Sequence, residues 1–217
     1  MKINKTNTLE IKKVYSKFKE EIECRLAEFK KIGKNATPKE LFIELAFCVL
    51  TPQSKAKLCW EAIVTMQKKN ILFNGTIDDI NKELQKVRFK NKKAEYLYRA
   101  RCNFFKKENS IYENIKKTKS TLELREYLVR NIKGIGYKEA SHFLRNIGLG
   151  EEIAILDRHI IRNLIELGVL KKYPKNLSEK NYEGIEEKMK ALSKILDIPI
   201  DTLDLVFWAK ETGEVFK

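Results

Sequence analysis

The chain has 217 residues, 43% of them hydrophobic, enough for one or two lobes around a substantial core, and this excludes a disordered chain. Lys and Arg number 44 against 30 acidic residues, and the resulting net charge of +14 is spread along the whole length, a field that favours polyanions. No apolar run approaches the length of a membrane span and no basic start leads into a cleavable apolar segment, so nucleic acid is a better partner than a membrane and a cytoplasmic location is expected.

Strand signals are almost absent. Apolar residues recur at three- and four-residue spacing between Ser, Thr or Asp starts and Gly or Pro stops, which predicts an all-α fold of about ten helices. In "ATPKELFIELAFCVL" Thr37 can cap, Pro38 suits the first turn and Glu40 completes a capping box, ahead of an apolar run from Leu41 to Leu50 that predicts burial nearly all round. Further starts are expected at Ser54, at Thr76 with Asp79, at Ser120 with Glu123, at Ser178, and near Asp201 after Pro199. Cys24, Cys48, Cys59 and Cys102 form no close-spaced pair of the zinc or iron–sulfur kind and are expected to be reduced core thiols. With no repeat, low-complexity tract or Gly/Ser linker, two lobes must be packed rather than strung. The expected division is 35–147, a central lobe, against 1–34 plus 148–217, a lobe formed by both termini.

The stretch "NIKGIGYKEASHFLRNIG" joins two amphipathic helices, 121–131 and 137–147, through a tight hairpin. Gly134 and Gly136 permit positive φ and close backbone approach. Consecutive N–H groups there, with Ile135 between the glycines and Lys133 adding charge, can receive a phosphate. The bland alternative is an ordinary αα-turn.

These residues resemble the helix-hairpin-helix DNA glycosylase superfamily, whose signature looks like G-[IV]-G-x-K, a helix, a loop, then Asp followed two residues later by His. Here it reads Gly134-Ile135-Gly136-Tyr137-Lys138, then Asp157-Arg158-His159, with the Asp nineteen residues after the Lys. Upstream, "VLTPQSKA" and "RFKNKKAEYL" are similar to the superfamily's Leu-Ser-x-Gln helix end and its wedge before N-x-K-A. The resemblance implies two packed helical lobes with the active site in the cleft between them. It also implies that Gln53 faces the orphaned partner base, Phe89 wedges between base pairs, and His159 touches the phosphate of the extruded nucleotide. Gln53 could instead cap a helix, and Phe89 could lie in a core.

The implied chemistry is attack of a neutral Lys138 amine on C1′ of a flipped sugar, a Schiff base, and strand cleavage by β-elimination. A free lysine is protonated at neutral pH, so desolvation or neighbouring positive charge must favour the amine, whereas a directly paired carboxylate would oppose it. Asp157 is therefore expected nearer the sugar than the ammonium. The helix from Lys138 to Ile147 is about 14 Å long, and the connection 148–156 can extend roughly 30 Å, so Asp157 can return to the helix start. There it can serve both as N-cap and as a charge that stabilises an oxocarbenium-like sugar. Lys138 as plain surface charge and Asp157 as a plain cap are the alternatives. His142, one helical turn after Lys138, is either a catalytic accessory or a buried histidine.

No cysteine follows Cys102, so the iron–sulfur cluster of endonuclease III relatives has no ligands. The whole pattern, including "ILDRHI" and the C-terminal "DLVFWAKETGEVFK", is similar to the archaeal-type (type 2) 8-oxoguanine DNA glycosylases. That resemblance implies base excision repair on double-stranded DNA containing 8-oxoguanine or abasic sites, by a monomer with no cofactor beyond a monovalent cation at the DNA-bound hairpin. Lys217, with its carboxylate, would accept from the N7–H of 8-oxoguanine and Trp208 would stack on the extruded base; a frayed tail and a core Trp are their alternatives. The competing functions are an endonuclease III-like glycosylase for oxidised pyrimidines and a non-catalytic helix-hairpin-helix module that only grips DNA.

Overall fold

The computed structural model describes residues 3–217, and among them all regular structure is helical. Twelve helices follow in order: α1 (Lys5–Asn35), α2 (Pro38–Leu50), α3 (Ala56–Lys68), α4 (Ile71–Asn74), α5 (Ile77–Glu83), α6 (Lys90–Phe104), α7 (Ile111–Lys117), α8 (Thr121–Asn131), α9 (Tyr137–Asn146), α10 (Arg158–Glu166), α11 (Glu179–Leu196) and α12 (Ile200–Thr212). No helix among the described residues is long and apolar enough to cross a membrane. The chain divides into two compact units, a central one of 35–143 and a terminal one that joins residues up to 34 with 144–217.

The central unit is built around α2. The Thr37 hydroxyl accepts from the Glu40 N–H and the Glu40 carboxylate accepts from the Thr37 N–H, with Pro38 at the first position, so the helix starts as its sequence dictates. Nine of its thirteen residues are buried, and α3 and α6 pack against it. Each fully buried Phe or Leu here contributes about 1.5–3 kcal/mol, and Phe42 sits among Phe73, Phe104 and Phe105 with ring centroids 5.3–6.2 Å away. Two buried cations of α6 satisfy helix ends that hydrophobic packing would otherwise orphan. Arg101 donates to the carbonyls of Ile71, Leu72 and Gly75 around α4. Lys93 donates to those of Leu50 and Pro52 at the end of α2, at 2.7 Å each.

The terminal unit gathers α1, α10, α11 and α12. Helix α12 is buried over most of its length, from Ile200 to Phe207. After α9 the chain turns at Gly148, which has φ +76 and lies against the α1 backbone; a Cβ would come within 2.7 Å of the Lys30 Cα. The Tyr182 hydroxyl donates to the Ala154 carbonyl and accepts from the Leu156 N–H, and Glu186 accepts from the Ala154 N–H, so α11 fixes the irregular segment that leads to Asp157.

Three expectations need correction. Helix α3 starts one residue later than Ser54 implies, with Lys55 at the cap position and no side-chain cap bond, because the Ser54 hydroxyl is taken by Lys93 Nζ and the Arg88 N–H. Cys48 and Cys59 are core thiols, but Cys24 and Cys102 are exposed, on the outward faces of α1 and α6. The helices exceed ten because α4 and α7 span only four and seven residues, too few to show an apolar period.

Candidate active site

The hairpin joins α8 to α9 in the central unit. Gly134 has φ +90, and a Cβ there would also meet the Tyr96 ring at 2.3 Å, so both backbone and packing demand glycine. Lys133 lies over the same ring at 5.8 Å, and Ile135 is buried beneath the turn. The pair of helices is braced inside the unit by the Tyr137 hydroxyl, which donates to Glu126 at 2.7 Å, and by Arg125, which lies over the Tyr137 ring and donates to the Ser141 hydroxyl.

Lys138 is the second residue of α9, and its side chain, 23% exposed, is held at Nζ from two sides. It donates to Thr51 Oγ1 at 3.5 Å and to Glu139 Oε1 at 3.2 Å. The Thr51 hydroxyl spends its own proton on the Cys48 carbonyl, 2.9 Å away, so it can only accept from Lys138. The other Glu139 oxygen accepts from the Gly136 N–H at 3.3 Å, the return half of a capping box. A carboxylate does pair with the ammonium, therefore, and it comes from the next residue in the chain. Sequence reading missed both Thr51 and Glu139; the Gly-x-x-Glu spacing at the start of α9 was the available signal for the second.

Behind this pair lies Lys93, 4% exposed, whose ammonium is pushed below its ordinary range chiefly by burial, with Lys138 and Arg88 acting in the same direction and Glu139 against it. Its third donor goes to the Ser54 hydroxyl at 2.9 Å. Lys93 thus ties down the turn after α2, where Gln53 is exposed with φ 53. Thr51, not Gln53, occupies the C-cap of α2, so capping does not explain Gln53. Cys59 donates its S–H to the Leu50 carbonyl at 3.1 Å, and burial pushes its thiol up to about 11, so it stays neutral. Phe89 is no core residue: it precedes α6 with φ 59, is 54% exposed, and carries the Arg88 guanidinium over its ring at 5.7 Å. His142 is buried, edge-on to Phe47 at 5.5 Å.

The terminal unit supplies the second cluster. Asp157 caps α10, and its Oδ1 accepts from the N–H groups of both His159 and Ile160, at 2.8 and 2.9 Å. Among the described residues, Oδ2 has no hydrogen-bond partner. His159 stands edge-on to Trp208 at 5.8 Å and 3.7 Å from Glu211, which also pairs with Arg162. Burial pushes the His159 imidazole down; Asp157 opposes this, while Arg158 and Arg162 add to it. Trp208 is half-buried, with its indole N–H enclosed and unbonded among the described residues, and Lys217 is half-buried beyond the end of α12. Glu211, Arg162 and Asn163, which donates to the His159 carbonyl at 2.9 Å, are further members that sequence reading missed.

An all-helical chain carrying this hairpin, a lysine at the following helix start and a capping aspartate with one free oxygen has the make-up of a helix-hairpin-helix glycosylase. Residues 22–198 match the family model described as 8-oxoguanine DNA glycosylase, and the chain belongs to that family. It is 47% identical to the 8-oxoguanine DNA glycosylase/AP lyase of Fusobacterium nucleatum, over 96% of both chains. With the protein of the same description from Methanocaldococcus jannaschii the identity is 39%, over 93% of this chain and 94% of the other. Its fold matches the crystal structure of the 8-oxoguanine DNA glycosylase of Thermotoga maritima with a TM-score of 0.86, at 32% identity over 97% of this chain and 98% of that one. The Methanocaldococcus jannaschii 8-oxoguanine glycosylase/lyase, in complex with a 15mer DNA containing 8-oxoguanine, gives 0.84 at 35% identity, over 97% and 99%.

Proposed function

We propose that this chain excises 8-oxoguanine from double-stranded DNA and cuts the strand at the resulting abasic site by β-elimination, with Lys138 as the nucleophile. The observation that carries the reading is the Lys138 amine, fixed between Thr51 and Glu139 at the first turn of the helix that leaves the hairpin. An amine so restrained has lost little of its remaining freedom when a sugar carbon arrives, and a covalent C1′ adduct divides one difficult displacement into two easier steps. The free Oδ2 of Asp157 supplies negative charge for the oxocarbenium-like sugar.

DNA is held by the hairpin and by the two exposed residues at positive φ. Gly134, Ile135 and Gly136 present backbone to a phosphate, Lys133 adds charge, Gln53 takes the orphaned base and Phe89 fills the stack. The carbonyls of Lys133, Gly134 and Ile135 accept no backbone hydrogen bond among the described residues; they are the oxygens that would hold a monovalent cation against the phosphate. Trp208 and Lys217 face the extruded base, with the N7–H of 8-oxoguanine as the group to be read, and His159 contacts the flanking phosphate. The protein works as a monomer in the cytoplasm, on the chromosome. Affinity for DNA falls by roughly 0.9 log units per phosphate contact for each tenfold rise in salt.

The test is borohydride trapping on duplexes containing 8-oxoguanine, thymine glycol, uracil or an abasic site, with the native chain and Lys138→Gln. A covalent adduct on the 8-oxoguanine and abasic duplexes, absent in the variant, is expected. Preferential trapping on thymine glycol would reassign the substrate to oxidised pyrimidines, and tight binding with no adduct anywhere would leave a DNA-gripping module.

A further inference from the structure

The amine must lose a proton before it can attack, and the structure holds an acceptor at the right atom. Glu139 touches Lys138 Nζ at 3.2 Å, and its side chain is only 13% exposed, so solvent competes little for the contact. The carboxylate is oriented independently of the lysine, because its second oxygen is engaged by the Gly136 N–H. Thr51 takes another Nζ proton direction and cannot give one back. Other charged or titratable groups near the pair within the unit include the Lys93 ammonium, with Arg88 next to it, and the neutral Cys59 thiol, while His142 lies one turn further along α9 against Phe47. None of the first three can accept a proton from Nζ near neutral pH, and Glu139 is the carboxylate that the structure places in hydrogen-bond contact with it.

We infer that Glu139 is a catalytic residue, the general base that deprotonates Lys138 for its attack on the sugar; this rests on Lys138 being the nucleophile. One Nζ–H bond breaks and its proton goes to Glu139 Oε1. The electron pair stays on Nζ and forms the bond to C1′ as the C1′–N9 bond breaks. The nucleobase leaves with the electron pair of the C1′–N9 bond and takes a proton from solvent. The carboxylate lies within hydrogen-bond reach of the proton it removes, the geometric requirement for a general base. A carboxylate beside an amine can have the opposite effect and hold it charged, and the two roles predict opposite signs.

Glu139→Gln separates them, since its amide oxygen can still accept from the Gly136 N–H while the amide NH2 that replaces Oε1 takes no proton from Nζ. At pH 7 the variant is expected to lose about 10²-fold in single-turnover excision and in trapping on a preformed abasic site. Its DNA affinity and melting temperature should hold, and its rate should climb with hydroxide concentration until it approaches the native rate at high pH. A rate at pH 7 equal to or above the native one overturns the inference. Should Glu139→Gln be too unstable to assay, Glu139→Ala with added formate provides the second measurement: activity rising with formate concentration supports the general base, and no rise overturns it. A native chain that forms no adduct on any duplex would fail earlier, at the assignment of Lys138 itself.

Discussion

At the start of α9 a carboxylate three residues inside the helix, Glu139, reaches back to the cap N–H; at the start of α10 a carboxylate at the cap itself, Asp157, reaches forward to the N–H groups of His159 and Ile160. Both satisfy backbone donors that a helix leaves unpaired. They differ in what remains. The second oxygen of Glu139 is engaged by the Lys138 ammonium, whereas the second oxygen of Asp157 has no partner among the described residues. One helix start is therefore closed on itself around an amine, and the other keeps half a carboxylate in reserve. Capping explains the location of each acid, and only the leftover oxygen distinguishes their chemistry.

The largest effect should come from the residue for which capping offers no explanation. Lys138→Gln is expected to abolish the trapped adduct and lower excision by at least about 10³-fold, with little change in DNA affinity. Asp157→Asn should lower the rate by about 10²-fold while leaving stability in place, because Asn caps as well as Asp. Asp157→Ala should add about 1 kcal/mol of destabilisation for the lost cap. Equal melting temperatures for the Asn and Ala variants would break the distinction between capping and catalysis.

Next in size is the support behind Lys138. Lys93→Met leaves the carbonyl of Pro52 and the hydroxyl of Ser54 without their buried donor, and about 2 kcal/mol of stability should be lost on denaturant unfolding. Gly134→Ala should cost about 1–2 kcal/mol through its φ of +90 alone, with weaker DNA binding. Adding Tyr96→Ala should recover only the steric share, and full recovery would show that the backbone conformation is not the constraint.

How much of this was legible in the sequence divides by range. The capping box at Thr37 and Glu40, the one at Thr76 and Asp79, the limits of α8 and the start of α9 depend on residues within four positions of each other, and the structure agrees with them, while α9 ends at Asn146, one residue short of the expected 147. The box at Ser110 and Glu113 was equally local and was overlooked. Ser54 misled because its hydroxyl serves Arg88 and Lys93, 34 and 39 residues away, which no local pattern reveals. Phe89 read equally well as core or wedge, since a left-handed backbone at a phenylalanine has no sequence signature. The pairing of Glu139 with Lys138 was hidden by a sound rule, that adjacent helix residues do not face each other. The rule lapses in the first turn, where the glutamate bends back to the cap and brings its other oxygen alongside its neighbour.

The smallest effect concerns the neighbour of Asp157. The His159 imidazole is held below its ordinary range mainly by burial, with Arg158 and Arg162 adding to the shift and Asp157 opposing it. A histidine whose folded pKa lies below its unfolded value near 6.5 is neutral in both states above that pH, so it contributes nothing unfavourable there. As pH falls below about 6.5 the unfolded chain takes up the proton first, and stability is lost until the folded pKa is passed. His159→Gln should therefore flatten the decline of melting temperature as pH falls below about 6.5, relative to the native chain. DNA works in the opposite direction, because a phosphate against the ring favours the imidazolium. If His159 contacts phosphate, binding should draw in a proton at pH 6.5, measurable as a buffer-dependent heat that His159→Gln removes. A buffer-independent heat in the native chain would mean that the ring stays neutral on DNA and that its partner is something other than a phosphate.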